Sequence, residues 1–314
     1  MNPLVDGVKK RKGLLGVIGY PIGHTASPAM MNAAIKHAGI NNVLYVSTEV
    51  HPKYLGAFCW LAHLFNFIGF TVTIPHKVAI IKYLTKLDKS AVEVGAVNVV
   101  KVVDERLVGY NTDYIGVLST LPPESSISSY VTVIGVGGAA RAAAIALKKR
   151  GFEKLVFVGR RKQTMTKFKR FAKENGIDCK LITIGSEHFI KYVKKSELLI
   201  NATPVGMYPN INETPVPSKL LHRGMIVFDM IYNPLETRLL REAKKQGAVT
   251  INGVKMLIEQ GAAALKLWLS IEPDKKVMRR AVLSFLRGRT VEGTGWILTL
   301  SKLLTPSRLA VELG

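Results

Sequence analysis

The first half of the chain alternates short apolar runs with stretches of helical period. Leu14 to Gly19 reads as a buried strand, and Pro28 to His37 as a helix stopped at Gly39. Val43 to Ser47 predicts a strand, Pro52 to Phe65 a helix, Phe70 to Ile74 a strand and Lys77 to Leu84 a helix. Val97 to Val103 and Leu107 to Asn111 pair around a turn at Asp104-Glu105. Repeated strand–helix alternation predicts a mostly parallel sheet with both faces covered. The clearest break is Leu121-Pro122-Pro123-Glu124-Ser125-Ser126, where two prolines stop a helix and the serines continue no period. Beyond it, Tyr130 to Ile134 is an apolar strand, and strand-like runs recur at Leu155 to Val158, Leu198 to Asn201, Ile226 to Asp229 and Val249 to Asn252. Gly253 to Trp268 has the pattern of an amphipathic helix that could return to the first domain. The tail from Gly288 is less regular, with one amphipathic turn pair predicted over Leu298 to Leu304.

Composition narrows this picture. Hydrophobic residues make up 48% of 314, enough for a sizeable core. No apolar run reaches the ~18 residues a membrane-crossing helix needs, and no apolar segment follows the basic N-terminus as in a secretory signal. Cys59 and Cys179 lack metal-ligand spacing, so reduced thiols of a cytoplasmic protein, and no metal site, are expected. Lysine and arginine number 44 against 22 acids. They are spread from Lys9 to Arg308 rather than gathered in one stripe, which argues against a dedicated nucleic-acid binder. The excess should still attract small anions.

Gly135-Val136-Gly137-Gly138-Ala139 leaves a strand and opens a helix predicted over Ala139 to Lys149. Glycine permits the tight turn and close backbone approach, and the helix start offers N–H groups and a positive dipole end to a pyrophosphate. At the end of the next strand, an NAD site would carry an acid for the ribose 2′-hydroxyl. Gly159 is followed instead by Arg160 and Arg161, which match the 2′-phosphate of NADP.

Three stretches carry polar residues that a scaffold alone does not need: Gly19 to Pro28, with Thr25 and Ser27; Gly69 to Lys77, with Thr71 and Thr73; and Gly95 to Asn98, followed by Gly109 to Asp113. Ser27 suits a helix cap before Pro28, which leaves Thr25 unexplained. Lysine at a helix start, as at Lys77, opposes the helix dipole and so points to a role other than helix stability. Together with the glycine turn, Asn201-Ala202-Thr203-Pro204-Val205-Gly206-Met207, Asp229-Met230-Ile231-Tyr232-Asn233-Pro234 and Gly253 to Gly261, these stretches resemble the shikimate dehydrogenase family over most of the chain.

The resemblance implies two α/β domains with a cleft between them. An N-terminal substrate domain would span residues 1–121 and a Rossmann NADP-binding domain 122–252, with returning helices over 253–287 and a tail of unassigned role over 288–314. It implies that Thr25 and Ser27 bind a carboxylate, and that Thr71, Thr73, Asn98, Tyr232 and Gln260 line the substrate site. Gly135, Gly137, Gly138, Ala139, Arg160, Arg161, Thr203, Met207 and Gly253 would hold NADP. Lys77 and Asp113 would sit at the hydroxyl that is oxidised. Chemistry agrees, because hydride transfer from a secondary alcohol must also move a proton at the same oxygen. Lys77 can exchange that proton as a general acid/base while Asp113 holds it in line. The implied reaction is reduction of 3-dehydroshikimate to shikimate with NADPH, in aromatic amino-acid biosynthesis. Thr71 stands where the family commonly has asparagine and Thr25 where it has serine, so a quinate/shikimate dehydrogenase using NAD is the nearest alternative. A non-catalytic NADP sensor or nucleic-acid binder on the same scaffold is the alternative of another class. Monomer and homodimer both fit.

Overall fold

A computed structural model of the chain describes residues 13–23, 25–288 and 297–299. Its contacts separate two compact units. The first takes the described residues up to Val92, Val97–Asn111 and those from Gly261 onward; the second takes Glu93–Ala96 and Thr112–Gln260.

The first unit is built on β1 (Gly13–Gly19), α1 (Ser27–His37), β2 (Val43–Glu49), α2 (Leu55–Leu61), β3 (Phe67–Val72), α3 (His76–Ala79), β4 (Lys86–Leu87), α4 (Lys89–Val94), β5 (Val99–Val103) and β6 (Arg106–Tyr110). Every residue of β1 is buried, as a central strand covered on both faces requires. The sheet order is β13-β2-β1-β3-β5-β6-β4, with β13 formed by Ile297–Thr299. The alternation correctly foretells parallel pairing of β1 with β2 and β3. The strand pair expected around Asp104-Glu105 is the antiparallel hairpin of β5 and β6, while the alternation misses that β5 also runs antiparallel to β3. The hairpin closes at Asp104 and Glu105, whose φ of 47° and 61° give the primed geometry that joins antiparallel strands.

Several predicted bounds change. The helix expected over Pro52 to Phe65 is a short 3₁₀ turn, Pro52–Tyr54, followed by α2 alone. Trp60, Leu64 and Phe65 look like a continued apolar face but are 67%, 61% and 53% exposed, so nothing holds a longer helix against the core. Likewise α3 is one turn, continued as 3₁₀ over Ile80–Tyr83. At α1, Ser27 is the first helical residue rather than the cap. Thr25 does the capping work, its Oγ1 accepting the Ser27 N–H at 3.2 Å. In the tail, Ile297–Thr299 pair as a parallel strand with Ser47–Glu49 in place of the expected turn, and residues 300–304 lie outside the described residues.

The core of this unit gathers Ile18, Val46, Phe58, Phe70, Val72, Val97 and Val100. On the other face, Trp268 of α10 (Val254–Leu269) donates its indole N–H to the Val100 carbonyl at 2.9 Å, and Lys101 Nζ caps the same helix end at the Leu267 carbonyl, 2.8 Å. Gly69 makes room for this: a Cβ there would lie 2.2 Å from Trp268 Nε1. α11 (Lys275–Leu286) packs on α1.

The second unit holds α5 (Asp113–Thr120), β7 (Tyr130–Ile134), α6 (Gly138–Arg150), β8 (Leu155–Gly159), α7 (Lys162–Glu174), β9 (Cys179–Thr183), α8 (Glu187–Lys195), β10 (Ser196–Asn201), β11 (Ile226–Asp229), α9 (Arg238–Lys245) and β12 (Val249–Ile251). Its six strands are all parallel in the order β9-β8-β7-β10-β11-β12, the doubly wound order of a dinucleotide-binding sheet. Alternate side chains feed two cores, one on each face. Val131, Val133 and Phe157 go one way, and Ile134, Val156 and Val158 the other. Ala140, Ala142, Ala143, Ala144 and Ala146 are fully buried, and such small side chains let α6 lie close on the sheet.

Candidate active site

The order of the second sheet reverses between β7 and β10, the place where such sheets bind ligands. Gly135 leaves β7 with φ of +119°, backed against Ala202 and Thr203 so that a Cβ would lie 3.1 Å from the Ala202 carbonyl. Gly137 is the cap position of α6, no side chain caps the helix, and a Cβ on Gly137 would meet nothing within 4 Å. The first-turn N–H groups therefore look into open space, a cradle for an anionic group. Arg160 and Arg161 follow the end of β8 and are both exposed; Arg161 is the cap position of α7.

Beneath the turn lies a network that residue reading did not foresee. Asn201 and Asp229 end adjacent strands in register, and neither is solvent-exposed. Asn201 Oδ1 accepts from the N–H and hydroxyl of Thr203 at 3.0 and 2.7 Å, and its amide donates to Asp229 Oδ1 at 3.0 Å. Asp229 also accepts from Ile231 N–H at 3.1 Å and Thr237 Oγ1 at 2.6 Å. Burial outweighs these donors and lifts the Asp229 carboxyl to a pKa of about 6. The network shapes the loop that carries Thr203 and Met207. Gly253, just before α10, passes so close to Met230 that a Cβ would lie 2.1 Å from its carbonyl oxygen. Tyr232 and Met207 are half-buried, and Gln260 is buried.

In the first unit, the polar stretches converge on the C-terminal ends of β1, β2 and β3. Thr25 Oγ1 also donates to Ser27 Oγ at 3.1 Å, which sets two hydroxyls side by side at the start of α1. Glu49 holds that loop through the Ile22 N–H, 3.3 Å, and Val50 N–H bonds the Gly19 carbonyl. The next loop is tied to the same place by His76, whose Nε2–H donates to the Val50 carbonyl at 2.7 Å. Burial holds the His76 imidazole below its ordinary range, which favours this neutral donor. Thr73 is half-buried, with its N–H on the Ile18 carbonyl. Thr71 Oγ1 donates to the Gly16 carbonyl at 3.3 Å and so accepts from the Tyr45 hydroxyl at 2.5 Å. With its proton committed, Thr71 can offer a ligand only a lone pair. Tyr45, Glu49 and His76 were not singled out in the sequence, since an apolar strand and a proline turn give no sign of their long-range partners.

Lys77 is the second residue of α3 and is half-buried, with its carbonyl accepting the Val97 N–H at 2.7 Å. Asn98 is buried, and its backbone bonds Val72 and Tyr110. Asp113, also buried, begins α5, where a carboxylate suits the helix dipole. The unit division puts Lys77, Asn98 and the loop threonines in the first unit, and Asp113, Tyr232 and Gln260 in the second. Among the described residues there is no cluster of metal-ligating side chains, and no helix is long and apolar enough to cross a membrane.

Comparison with known proteins decides the family. Residues 17–100 match the shikimate dehydrogenase substrate binding domain, and residues 253–283 the shikimate 5'-dehydrogenase C-terminal domain. The shikimate dehydrogenase (NADP(+)) of Methanocaldococcus jannaschii is 43% identical over 88% of this chain and 98% of its own length. The chain belongs to the shikimate dehydrogenase family. A crystal structure of a shikimate dehydrogenase in complex with NADP+ covers 88% of this chain and 96% of its own at a TM-score of 0.77 and 39% identity. The Thermus thermophilus enzyme in complex with NADP(H) and shikimate reaches 0.75 at 32% identity, covering 87% of this chain and 100% of its own. Family membership accounts for the doubly wound sheet and for the polar loops of the first unit together.

Proposed function

We propose that this chain reversibly reduces 3-dehydroshikimate to shikimate with NADPH, an oxidoreductase step of aromatic amino-acid biosynthesis. The observation that carries the reading is the Gly135 turn and uncapped α6 start, followed at the end of β8 by Arg160 and Arg161, in a chain of this family. Gly135, Gly137, Gly138 and Ala139 would hold the pyrophosphate, the two arginines the 2′-phosphate, and Thr203, Met207 and Gly253 the nicotinamide end. NADPH supplies the hydride. The chain's own residues supply position and the proton.

The Thr25 and Ser27 hydroxyls, beside the positive end of α1, suit the substrate carboxylate. Thr73, Asn98, Tyr232 and Gln260 suit the ring hydroxyls, and Thr71 accepts from one of them. Lys77 gives a proton to the carbonyl oxygen as it becomes a hydroxyl, or takes it back in the reverse direction. Asp113 orients the ammonium and the hydroxyl. The unpaired Cys59 and Cys179 suit a reducing compartment such as the cytoplasm. A monomer or a homodimer would serve equally. Lys77→Ala tests the mechanism: kcat should fall by roughly 10²–10⁴ with folding and NADPH binding intact. Full turnover in that variant would overturn it.

A further inference from the structure

The first turn of α6, which the family reading gives to the dinucleotide, also carries Arg141. A cation there opposes the helix dipole, so helix stability does not explain it. Its guanidinium instead turns to residues 93–96. Nη1 donates to the Gly95 carbonyl at 3.0 Å, and the group lies over the Phe171 ring, 4.9 Å from the centroid. Gly95 is shaped for this contact. Its φ is +62°, and a Cβ would lie 2.6 Å from Arg141 Nη1. A second tie holds the same segment, Lys149 to Glu93 at 2.9 Å.

The place of Gly95 in the chain makes the contact consequential. Its carbonyl belongs to one peptide plane, and the next plane carries the Val97 N–H that donates to the Lys77 carbonyl at 2.7 Å. A single residue, the fully buried Ala96, separates the two planes. Asn98 comes next, with N–H on the Tyr110 carbonyl at 3.1 Å and its own carbonyl on Val72 N–H at 2.8 Å.

We propose that Arg141 is a positioning residue: by clamping the Gly95 carbonyl it sets the peptide that holds Lys77 and aims Asn98. This rests on the reading of Lys77 and Asn98 given above. It places on the cofactor helix a residue that acts on the acid and the proton rather than on the dinucleotide. A planar fork held on an aromatic face does this better than a flexible ammonium.

The test uses the full chain with Arg141→Met, Arg141→Lys, Gly95→Ala and the double variant Arg141→Met/Gly95→Ala. NADPH affinity is read by fluorescence without substrate, shikimate affinity by calorimetry without dinucleotide, and kcat by turnover. Misplacement of reacting groups by about 1 Å costs on the order of 100-fold. Arg141→Met should therefore lower kcat by about 10- to 100-fold and weaken shikimate binding, with NADPH affinity held within about twofold. Arg141→Lys should recover part of the loss, and the double variant should be no worse than the poorer single one, because both break one contact. Weakened NADPH binding with intact kcat and shikimate affinity, unchanged kinetics, or fully additive losses would each overturn the proposal. If Arg141→Met does not fold, Arg141→Lys and Gly95→Ala read the same contact, and intact kcat in both overturns it. Lys77→Ala, run alongside, separates the claims: turnover surviving there removes the role of Lys77 and leaves Arg141 to be judged on shikimate affinity.

Discussion

Asp229 makes the pH dependence of the second unit calculable. Its carboxyl is fully buried among three donors, and burial outweighs them, raising its pKa to about 6 from the ordinary 3.8. A raised folded-state value means that the fold prefers the protonated form. The stabilisation is complete below about pH 4 and is lost as pH rises through about 6. About two pH units at 1.36 kcal/mol each gives a penalty on the order of 3 kcal/mol at pH 8. Asp229→Asn has nearly the same shape as the protonated acid and cannot ionise. Its amide oxygen can still accept from Asn201 and Ile231, and its NH₂ then faces the Thr237 hydroxyl. The stability of the variant relative to the parent should therefore climb by about 3 kcal/mol between pH 4 and pH 8, whatever constant offset it carries. Thermal unfolding at pH 4, 5, 6, 7 and 8 reads this as a growing difference in Tm of roughly 6–12 °C, at about 2–4 °C per kcal/mol. A difference that stays level or shrinks with pH would refute the reasoning, because it would mean that the donors hold Asp229 ionised as easily as water does.

Other consequences arise from the same geometry. Arg160→Ala combined with Arg161→Ala should raise KM for NADP by roughly two to four orders of magnitude while leaving KM for NAD nearly unchanged, since charge-assisted bonds contribute about 1.5–3 kcal/mol each and every 1.4 kcal/mol is about tenfold. Gly69→Ala should lower Tm sharply, because its Cβ would fall 2.2 Å from Trp268 Nε1 and 2.5 Å from the Val100 carbonyl, and overpacking alone costs about 1–3 kcal/mol. Thr71→Val removes the buried hydrogen bond between Thr71 and the Tyr45 hydroxyl, so a stability loss of about 0.5–1.5 kcal/mol should accompany a changed ratio of kcat/KM for shikimate over quinate.

Much of this molecule can be read from its residues. Strands such as β1 and β7 announce themselves as unbroken apolar runs, and the glycine turn is placed by the strand before it and the helix after it. Element ends are less visible. Trp60 and Phe65 match the period of a core-facing helix yet face outward, and only tertiary packing distinguishes the two. The hairpin of β5 and β6 is legible, but the antiparallel pairing of β5 with β3 joins residues about 30 apart and has no local signal. Polar networks were hidden for another reason. Asn201 and Asp229 are 28 residues apart, and Arg141 and Gly95 are 46 apart, so their partners exist only once strands and helices are packed. Side chains that touch a ligand sit in recognisable motifs. Those that hold the motifs in place leave almost no local trace.

The most direct measurement of the proposed reaction tracks NADPH absorbance in the purified chain with 3-dehydroshikimate, beside 3-dehydroquinate and beside NADH. NADPH should be consumed rapidly with 3-dehydroshikimate and much more slowly when either the acid or the cofactor is exchanged. No consumption of NADPH with 3-dehydroshikimate, by a folded protein that binds NADPH, would contradict the proposed reaction.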